Sequence, residues 1–77
     1  GENTISISNP VNENLELSEV ILENYDKMKL FDISGKKLLE LNSLTNKIEV
    51  TNLKSGMYII QFYNGKTKSK PIKIIKI

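Results

Sequence analysis

The side chains of this chain that could carry out acid–base or nucleophilic chemistry are carboxylates, lysines, tyrosines and serines. The 77 residues include no histidine and no cysteine, so no serine has a histidine to activate it and the usual zinc ligands are missing. The four glycines are too scattered for a phosphate-binding loop. We therefore interpret the carboxylates and lysines as solvated surface groups, and predict a protein that is not an enzyme and needs no cofactor.

The closest approach to a metal site is an acidic stretch near the amino end of the chain. Glu13, Glu16 and Glu19 lie there together with Asn12 and Asn14. Calcium requires several oxygen ligands that converge at short spacing, and the stretch lacks the EF-hand pattern. We interpret it as a dispersed acidic surface and predict no metal site.

Charge is distributed unevenly along the chain. Residues 1–26 carry six acidic residues and no lysine, whereas residues 66–77 carry five lysines and no acidic residue. All eleven basic residues are lysine, and the lysine-rich end has no aromatic side chain, which disfavours nucleic acid as a partner. This end fits either an edge strand whose lysines block aggregation or a surface that a protein partner recognises.

Apolar and polar residues alternate with a period of two in much of the chain, which is typical of strands with one solvated face. The runs predict strands at residues 4–8, 14–18, 27–33, 37–41, 47–51 and from 72 onward. Residues 57–63 are apolar on both faces apart from Gln61, which predicts a central strand covered on at least one side. Ile74 and Ile75 interrupt the last alternation, which allows a bulge or a change of face there.

Residues 18–24 fit two structures. Apolar residues follow helical spacing from Leu17 to Met28, and Ser18 could cap a helix. The β-branched side chains of Val20 and Ile21 disfavour a helix. We predict a strand or loop that crosses the core, with a short helix as the alternative.

Turn-forming residues separate the predicted strands. Asn64 and Gly65 predict a type I′ hairpin turn, and residues 32–35, with aspartate first and glycine fourth, predict a type I turn. Pro10 is expected to end the first strand, because proline has no N–H to donate to a neighbouring strand.

A tyrosine corner is predicted where Leu53 and a turn that ends at Gly56 precede Tyr58. In such a corner the tyrosine hydroxyl bonds a backbone group a few residues upstream, which makes Tyr58 architectural. With about seven short, mostly antiparallel strands, residues 1–77 are predicted to form one small immunoglobulin-like β-sandwich of the all-β class.

Four motifs follow one another along the chain. They are Ser-Asn-Pro-Val at residues 8–11 with Leu15 and Leu17, Leu-Phe-Asp-Ile-Ser-Gly-Lys at 30–36, Leu-Lys-Ser-Gly-Met-Tyr at 53–58, and Lys-Ile-Ile-Lys-Ile at 73–77. In this order they resemble the C-terminal sorting domains of the type IX (Por) secretion system, type A class.

The resemblance implies a non-catalytic secretion signal in Bacteroidetes-type bacteria. Such domains fold in the periplasm and are recognised by the outer-membrane translocon, and a sortase-like surface peptidase commonly removes them as the cargo is attached to the cell surface. The implied partners are translocon components and that peptidase. We expect no membrane insertion, because the longest apolar run is four residues, at 57–60.

We expect the partner to recognise the terminal segment and the motif turns. The recognition residues are Lys66, Lys68, Lys70, Lys73, Ile74, Ile75, Lys76 and Ile77. The motif turns are formed by Asn9, Pro10, Val11, Asp32, Gly35, Lys36, Leu53, Gly56 and Tyr58. A long terminal edge strand could also pair with a second copy to form a homodimer.

Two alternatives belong to other functional classes. One is an immunoglobulin-like accessory module that binds carbohydrate or a surface partner, for which Tyr63, with Tyr25, would supply the aromatic platform. The other is a passive spacer.

Overall fold

The computed structural model describes residues 5–77, which form seven strands and one short helix. In chain order the elements are β1 (Asn14–Glu16), α1 (Glu19–Asn24), β2 (Lys27–Asp32), β3 (Lys37–Leu41), β4 (Lys47–Glu49), β5 (Gly56–Asn64), β6 (Thr67–Lys68) and β7 (Ile72–Lys76). No helix within residues 5–77 is long and apolar enough to cross a membrane.

The strands form two antiparallel sheets. The smaller sheet pairs β1 with β4, and the larger has the order β3-β2-β5, with β6 and β7 both lying along the remaining side of β5. The predicted all-β sandwich is therefore confirmed, and β5 is the central strand that its apolar sequence predicts.

One apolar core joins the two sheets. Leu15 and Ile48 reach it from the smaller sheet, and Leu30, Ile60 and Phe62 reach it from the larger. The inward residues of β2 and β5 are two apart, as the strand period requires. Each fully buried aliphatic or aromatic side chain contributes about 1.5–3 kcal/mol, which is how a domain without disulfides is held together.

The expectation of a strand or loop at residues 18–24 is wrong, because Glu19–Asn24 is helical. The Ser18 hydroxyl accepts the N–H of Ile21 at 3.4 Å and caps the first turn, and Ile21 is fully buried. At the other end, the Asn24 side chain donates to the carbonyl of Val20 at 2.7 Å. Capping and the burial of one isoleucine therefore outweigh the weak helix preference of the β-branched residues.

The strand predicted at residues 4–8 is not found in the described part of that segment, since Ile5 to Ser8 belong to no strand and Thr4 lies outside the described residues. Ile7 is buried in the core. The alternation therefore reflects burial of one side of the chain without a neighbouring strand to pair with.

Two local expectations are corrected by the register. The hairpin turn is one residue later than predicted, because Asn64 pairs with Thr67 and the loop is Gly65 and Lys66. Among residues 5–77 only glycines have positive φ, and Gly65 has φ 59°, which is the φ pattern of a type II′ rather than a type I′ turn.

The sequence allowed a bulge at the two adjacent isoleucines of β7, but the structure has no bulge there. The β5–β7 register is continuous from Ile60↔Ile72 to Gly56↔Lys76. The irregularity lies instead between β2 and β3, where Leu38 is the extra residue between the partners of Leu30 and Phe31.

Candidate functional site

The four sequence motifs converge at one end of the larger sheet. Asp32 ends β2 opposite Tyr58, near the start of β5, and Gly56 lies opposite Lys76 at the end of β7. Val11 forms a parallel bridge to Lys76. Segments that are far apart in the sequence therefore form one contiguous region, which we call the motif end.

The terminal strand β7 has one buried and one exposed side. Ile74 is fully buried, and the Lys76 side chain is only 7% exposed on the same side of the strand. On the other side, Ile75 is 46% exposed, and Lys73 is exposed as well. Of the terminal residues predicted to meet a partner, Ile74 and Lys76 belong to the interior of the folded domain and cannot present their side chains to one.

The Lys76 ammonium is bonded to the neighbouring backbone and does not extend from the surface of β7. Its Nζ donates to the backbone oxygen of Ile77 at 2.8 Å. The Ile77 side chain is 55% exposed. Beyond Lys76, the accessible side chain is therefore the apolar one of Ile77.

The outer edge of β7 is occupied by residues 9–11. The Val11 N–H donates to the carbonyl of Ile75 at 2.7 Å, and the Ile77 N–H donates to the carbonyl of Val11 at 2.9 Å. On the same outer edge, the Asn9 side chain adds a bond from Nδ2 to the Lys73 carbonyl at 3.3 Å and one from the Ile75 N–H to Oδ1 at 2.9 Å. The edge on which a homodimer or an added strand was expected is closed by the chain itself.

The lysines at positions 66, 68 and 70 lie away from the motif end. Lys66 is in the β5–β6 hairpin loop, Lys68 pairs with Tyr63 near the far end of β5, and Lys70 follows β6. All three are exposed. Because β5 has nine residues, about 27 Å of strand separates this hairpin from the motif end. The structure therefore does not bring these lysines together with the motif turns.

The turn after β2 is organised by the Asp32 carboxylate. Its Oδ1 accepts the Ser34 hydroxyl at 2.6 Å, the Ser34 N–H at 2.9 Å and the Lys36 N–H at 3.0 Å. The Gly35 N–H donates to the Asp32 carbonyl at 3.0 Å, which closes the predicted turn, and Gly35 has φ 92°. The Ser34 hydroxyl, followed by the Lys36 N–H, holds the pKa of Asp32 below its ordinary value. This carboxylate is engaged in building a turn.

The predicted tyrosine corner is confirmed. The Tyr58 hydroxyl donates to the carbonyl of Lys54 at 2.6 Å, and the Tyr58 ring is buried in the core. Leu53 packs against the core from the same turn. These residues fix the entry of the chain into the central strand.

Sequence reasoning missed Ser69. This buried serine lies where β6 ends and β7 has not begun, because Pro71 lacks an N–H for pairing. Its hydroxyl accepts the Phe62 N–H at 3.0 Å and donates to the Lys70 carbonyl at 3.0 Å. A small polar residue two positions before a proline, in an interrupted strand, was the available signal.

The aromatic platform that a carbohydrate module would need is not presented. Tyr63 is half-buried, its hydroxyl donates to Gln61 at 3.1 Å, and the Lys29 ammonium lies 4.8 Å from its ring centroid. Tyr25 packs against Phe62, with the ring centroids 6.0 Å apart. Within residues 5–77, no group of three or more acidic side chains could hold a metal ion.

Comparison with known families gives one match. The model of the family described as the secretion system C-terminal sorting domain covers residues 8–77. Searches of the curated proteins and of the solved structures found no match. The matched residues include the Asp32 turn, the tyrosine corner, β7 and the clamp, as we call residues 9–11 bonded to the outer edge of β7; the fold brings all of these to the motif end. The chain belongs to the C-terminal sorting domains of type IX secretion, a family of export signals rather than of catalytic domains.

Proposed function

We propose that residues 1–77 form one sorting domain that is recognised in its folded state. It directs its cargo from the periplasm through the type IX translocon to the cell surface or the medium, and a sortase-like peptidase removes it as the cargo is attached. The family match over residues 8–77 is the observation that carries this proposal.

The geometry supports recognition of a folded domain over recognition of a linear tail. The terminal strand is bonded on both sides, to β5 and to residues 9–11. Ile74 is fully buried, so the terminal segment cannot be read as a free peptide without taking that side chain out of the core. The accessible groups are the motif turns, the outward side chains of β7 and the exposed lysines.

The test is a fusion of this chain to a reporter that carries its own signal for the periplasm, expressed in a bacterium with a type IX system. The reporter is expected outside the cell, and it is expected in the periplasm when a translocon component is deleted. Retention of the intact fusion in the competent strain would overturn the proposal.

Deleting residues 73–77 is a poor test of the signal, because it also removes a core residue. A sharper comparison is Lys68→Gln against Lys47→Gln, since both lysines are exposed, each change removes one positive charge, and Lys47 lies on β4 outside the four motifs. If the lysines of the hairpin end are part of the signal, only Lys68→Gln lowers export. Equal export of the two variants would exclude Lys68 from the recognition surface and leave the motif end as the candidate.

Cleavage has a separate readout. The exported cargo is expected to be smaller than the fusion by about the mass of this domain, 8.8 kDa. Mass spectrometry of the exported product locates its new end. A full-length product at the cell surface would contradict removal of the domain.

A further inference from the structure

The outer face of the larger sheet carries a cluster of apolar side chains at the motif end. Phe31 lies opposite Ile59 on neighbouring strands, and Met57 lies opposite Ile75. Directly opposed side chains in antiparallel strands are in contact distance, so the four are adjacent. Met57 is 44% exposed and Ile75 is 46% exposed. We call Phe31, Met57, Ile59 and Ile75 the outer patch.

The outer patch occupies only one half of this face. Towards the hairpin end, the outward positions of β2 and β5 are Lys27, Lys29, Gln61 and Tyr63, which is the polar surface that an antiparallel sheet ordinarily turns to water. The apolar residues are thus confined to the end where the motifs meet. A contiguous exposed apolar surface on a small domain marks a site of interaction.

Positive charge borders the outer patch. Lys73 lies opposite Ile59 on β7, and Lys37 lies opposite Phe31 on β3. The same face carries the carboxylate of Glu40, whose Oε1 is 2.6 Å from the Lys37 Nζ. With Lys27, Lys29 and Lys73 on this face as well, its balance is positive.

We propose that the outer patch is the docking surface for a protein of the translocation machinery, through a complementary surface of apolar side chains bordered by carboxylates. The apolar contact supplies the affinity, and the lysine border supplies orientation and the rate of encounter. The identity of the partner rests on the proposed function, whereas the chemistry of the surface it presents follows from the outer patch itself.

A second copy of this chain is the less suitable occupant. Two outer patches placed face to face would bring their lysine borders together. The acidic residues Glu16, Glu19 and Glu23 lie on β1 and α1, outside the larger sheet. Contact between those residues and the outer patch of another copy would be head-to-tail, and would produce rings or open chains rather than a symmetric dimer.

The experiment uses the reporter fusion with Met57→Glu and Ile75→Glu, singly and together. Each places a carboxylate where the partner is expected to present its own. The matched control is Val20→Glu on α1, because Val20 is 42% exposed but lies outside the larger sheet. We expect the double variant to lower export by about tenfold or more and the control to export as the parent does. Thermal melting of each purified domain confirms that the fold is kept.

Photo-crosslinking from position 57, compared with crosslinking from position 20, identifies the partner directly. A translocon protein cross-linked at 57 but not at 20 supports the proposal. Undiminished export of the double variant overturns it while leaving the sorting function intact, and failure of the parent fusion to be exported overturns the sorting function itself.

Two further measurements separate the other occupants. Sedimentation of the purified domain is expected to show a monomer, and a dimer that Met57→Glu disperses would assign the outer patch to a second copy. Flotation with vesicles of phosphatidylethanolamine and phosphatidylglycerol is expected to show no binding. Vesicle binding lost in the double variant would assign the outer patch to a lipid surface. Either result overturns docking of a protein partner.

Discussion

The side-chain amide of Asn9 binds the terminal strand as the peptide group of a neighbouring strand would, with Oδ1 accepting the N–H of Ile75 at 2.9 Å. Its Nδ2 donates to the Lys73 carbonyl at 3.3 Å, and Val11 continues the pairing. The first and the last motif of this sequence are therefore two halves of one structural unit. The asparagine has a structural role, because it closes the edge of the strand that ends the chain.

Asn9→Ala is expected to lower the free energy of unfolding by about 1–2 kcal/mol, because two hydrogen bonds each worth about 0.5–1.5 kcal/mol are lost. Urea denaturation measures the change. Amide hydrogen exchange at Ile75 is the specific readout, and its protection is expected to fall more than that of Ile74. Asn52→Ala is the control, since Asn52 is exposed and its side chain has no hydrogen bond to the described residues. Unchanged protection at Ile75 would contradict the clamp.

Tyr58→Phe is expected to destabilise the domain by about 0.5–1.5 kcal/mol, because it removes the hydroxyl that donates to Lys54 and keeps the buried ring. The denaturation midpoint should fall with an unchanged slope, since the core is retained. The matched control is Tyr63→Phe, because the Tyr63 hydroxyl donates to the flexible side chain of Gln61 rather than to the backbone. A larger loss for Tyr63→Phe than for Tyr58→Phe would show that the corner does not fix the central strand.

Much of the sheet could be predicted from the sequence, because strand alternation and turn chemistry are local. Tyr58 and residues 32–35 are examples, since each forms its bond within four residues. The helix at Glu19–Asn24 was predicted only as the alternative, because its stability comes from burying Ile21 against strands that are distant in sequence.

The candidate site was predicted only in part, for a related physical reason. The sequence shows lysines and isoleucines in a row but does not show which side each one faces. The burial of Ile74 and Lys76 and the closure of the β7 edge by Asn9 depend on pairing with β5 and with residues more than sixty positions away. The outer patch had a signal in the sequence, since residues 57–63 are apolar on both faces. The prediction of a second layer explained the apolar residues of one face and gave no role to those of the other.

Ser69→Ala is expected to cost about 1–3 kcal/mol, because it leaves the buried Phe62 N–H without the acceptor it now has at 3.0 Å. Thermal or urea unfolding measures this loss. Ser43→Ala, at an exposed position, should remain within about 0.5 kcal/mol of the parent. Ser69→Thr keeps the hydroxyl and is expected to recover part of the stability. If Ser69→Ala were as stable as Ser43→Ala, the break between β6 and β7 would not depend on this hydroxyl.

Acid is expected to weaken the Asp32 turn. The Ser34 hydroxyl and then the Lys36 N–H lower the pKa of Asp32 from 3.8, so the folded state prefers the ionised carboxylate. The contribution of the ionised Asp32 carboxylate to the free energy of unfolding is complete above the unfolded pKa and is lost as the pH falls through the lower, folded pKa. The stability difference between the parent and Asp32→Asn should therefore be constant well above the unfolded pKa of 3.8 and shrink as the pH falls below it. The pKa of Glu40 is also lowered, by the hydrogen bond from Lys37, so the comparison is made in a Glu40→Gln background.

In a separate titration, Ser34→Ala should raise the pKa of Asp32, which NMR follows at the carboxyl carbon of Asp32. An unchanged titration curve would show that the serine does not hold the carboxylate.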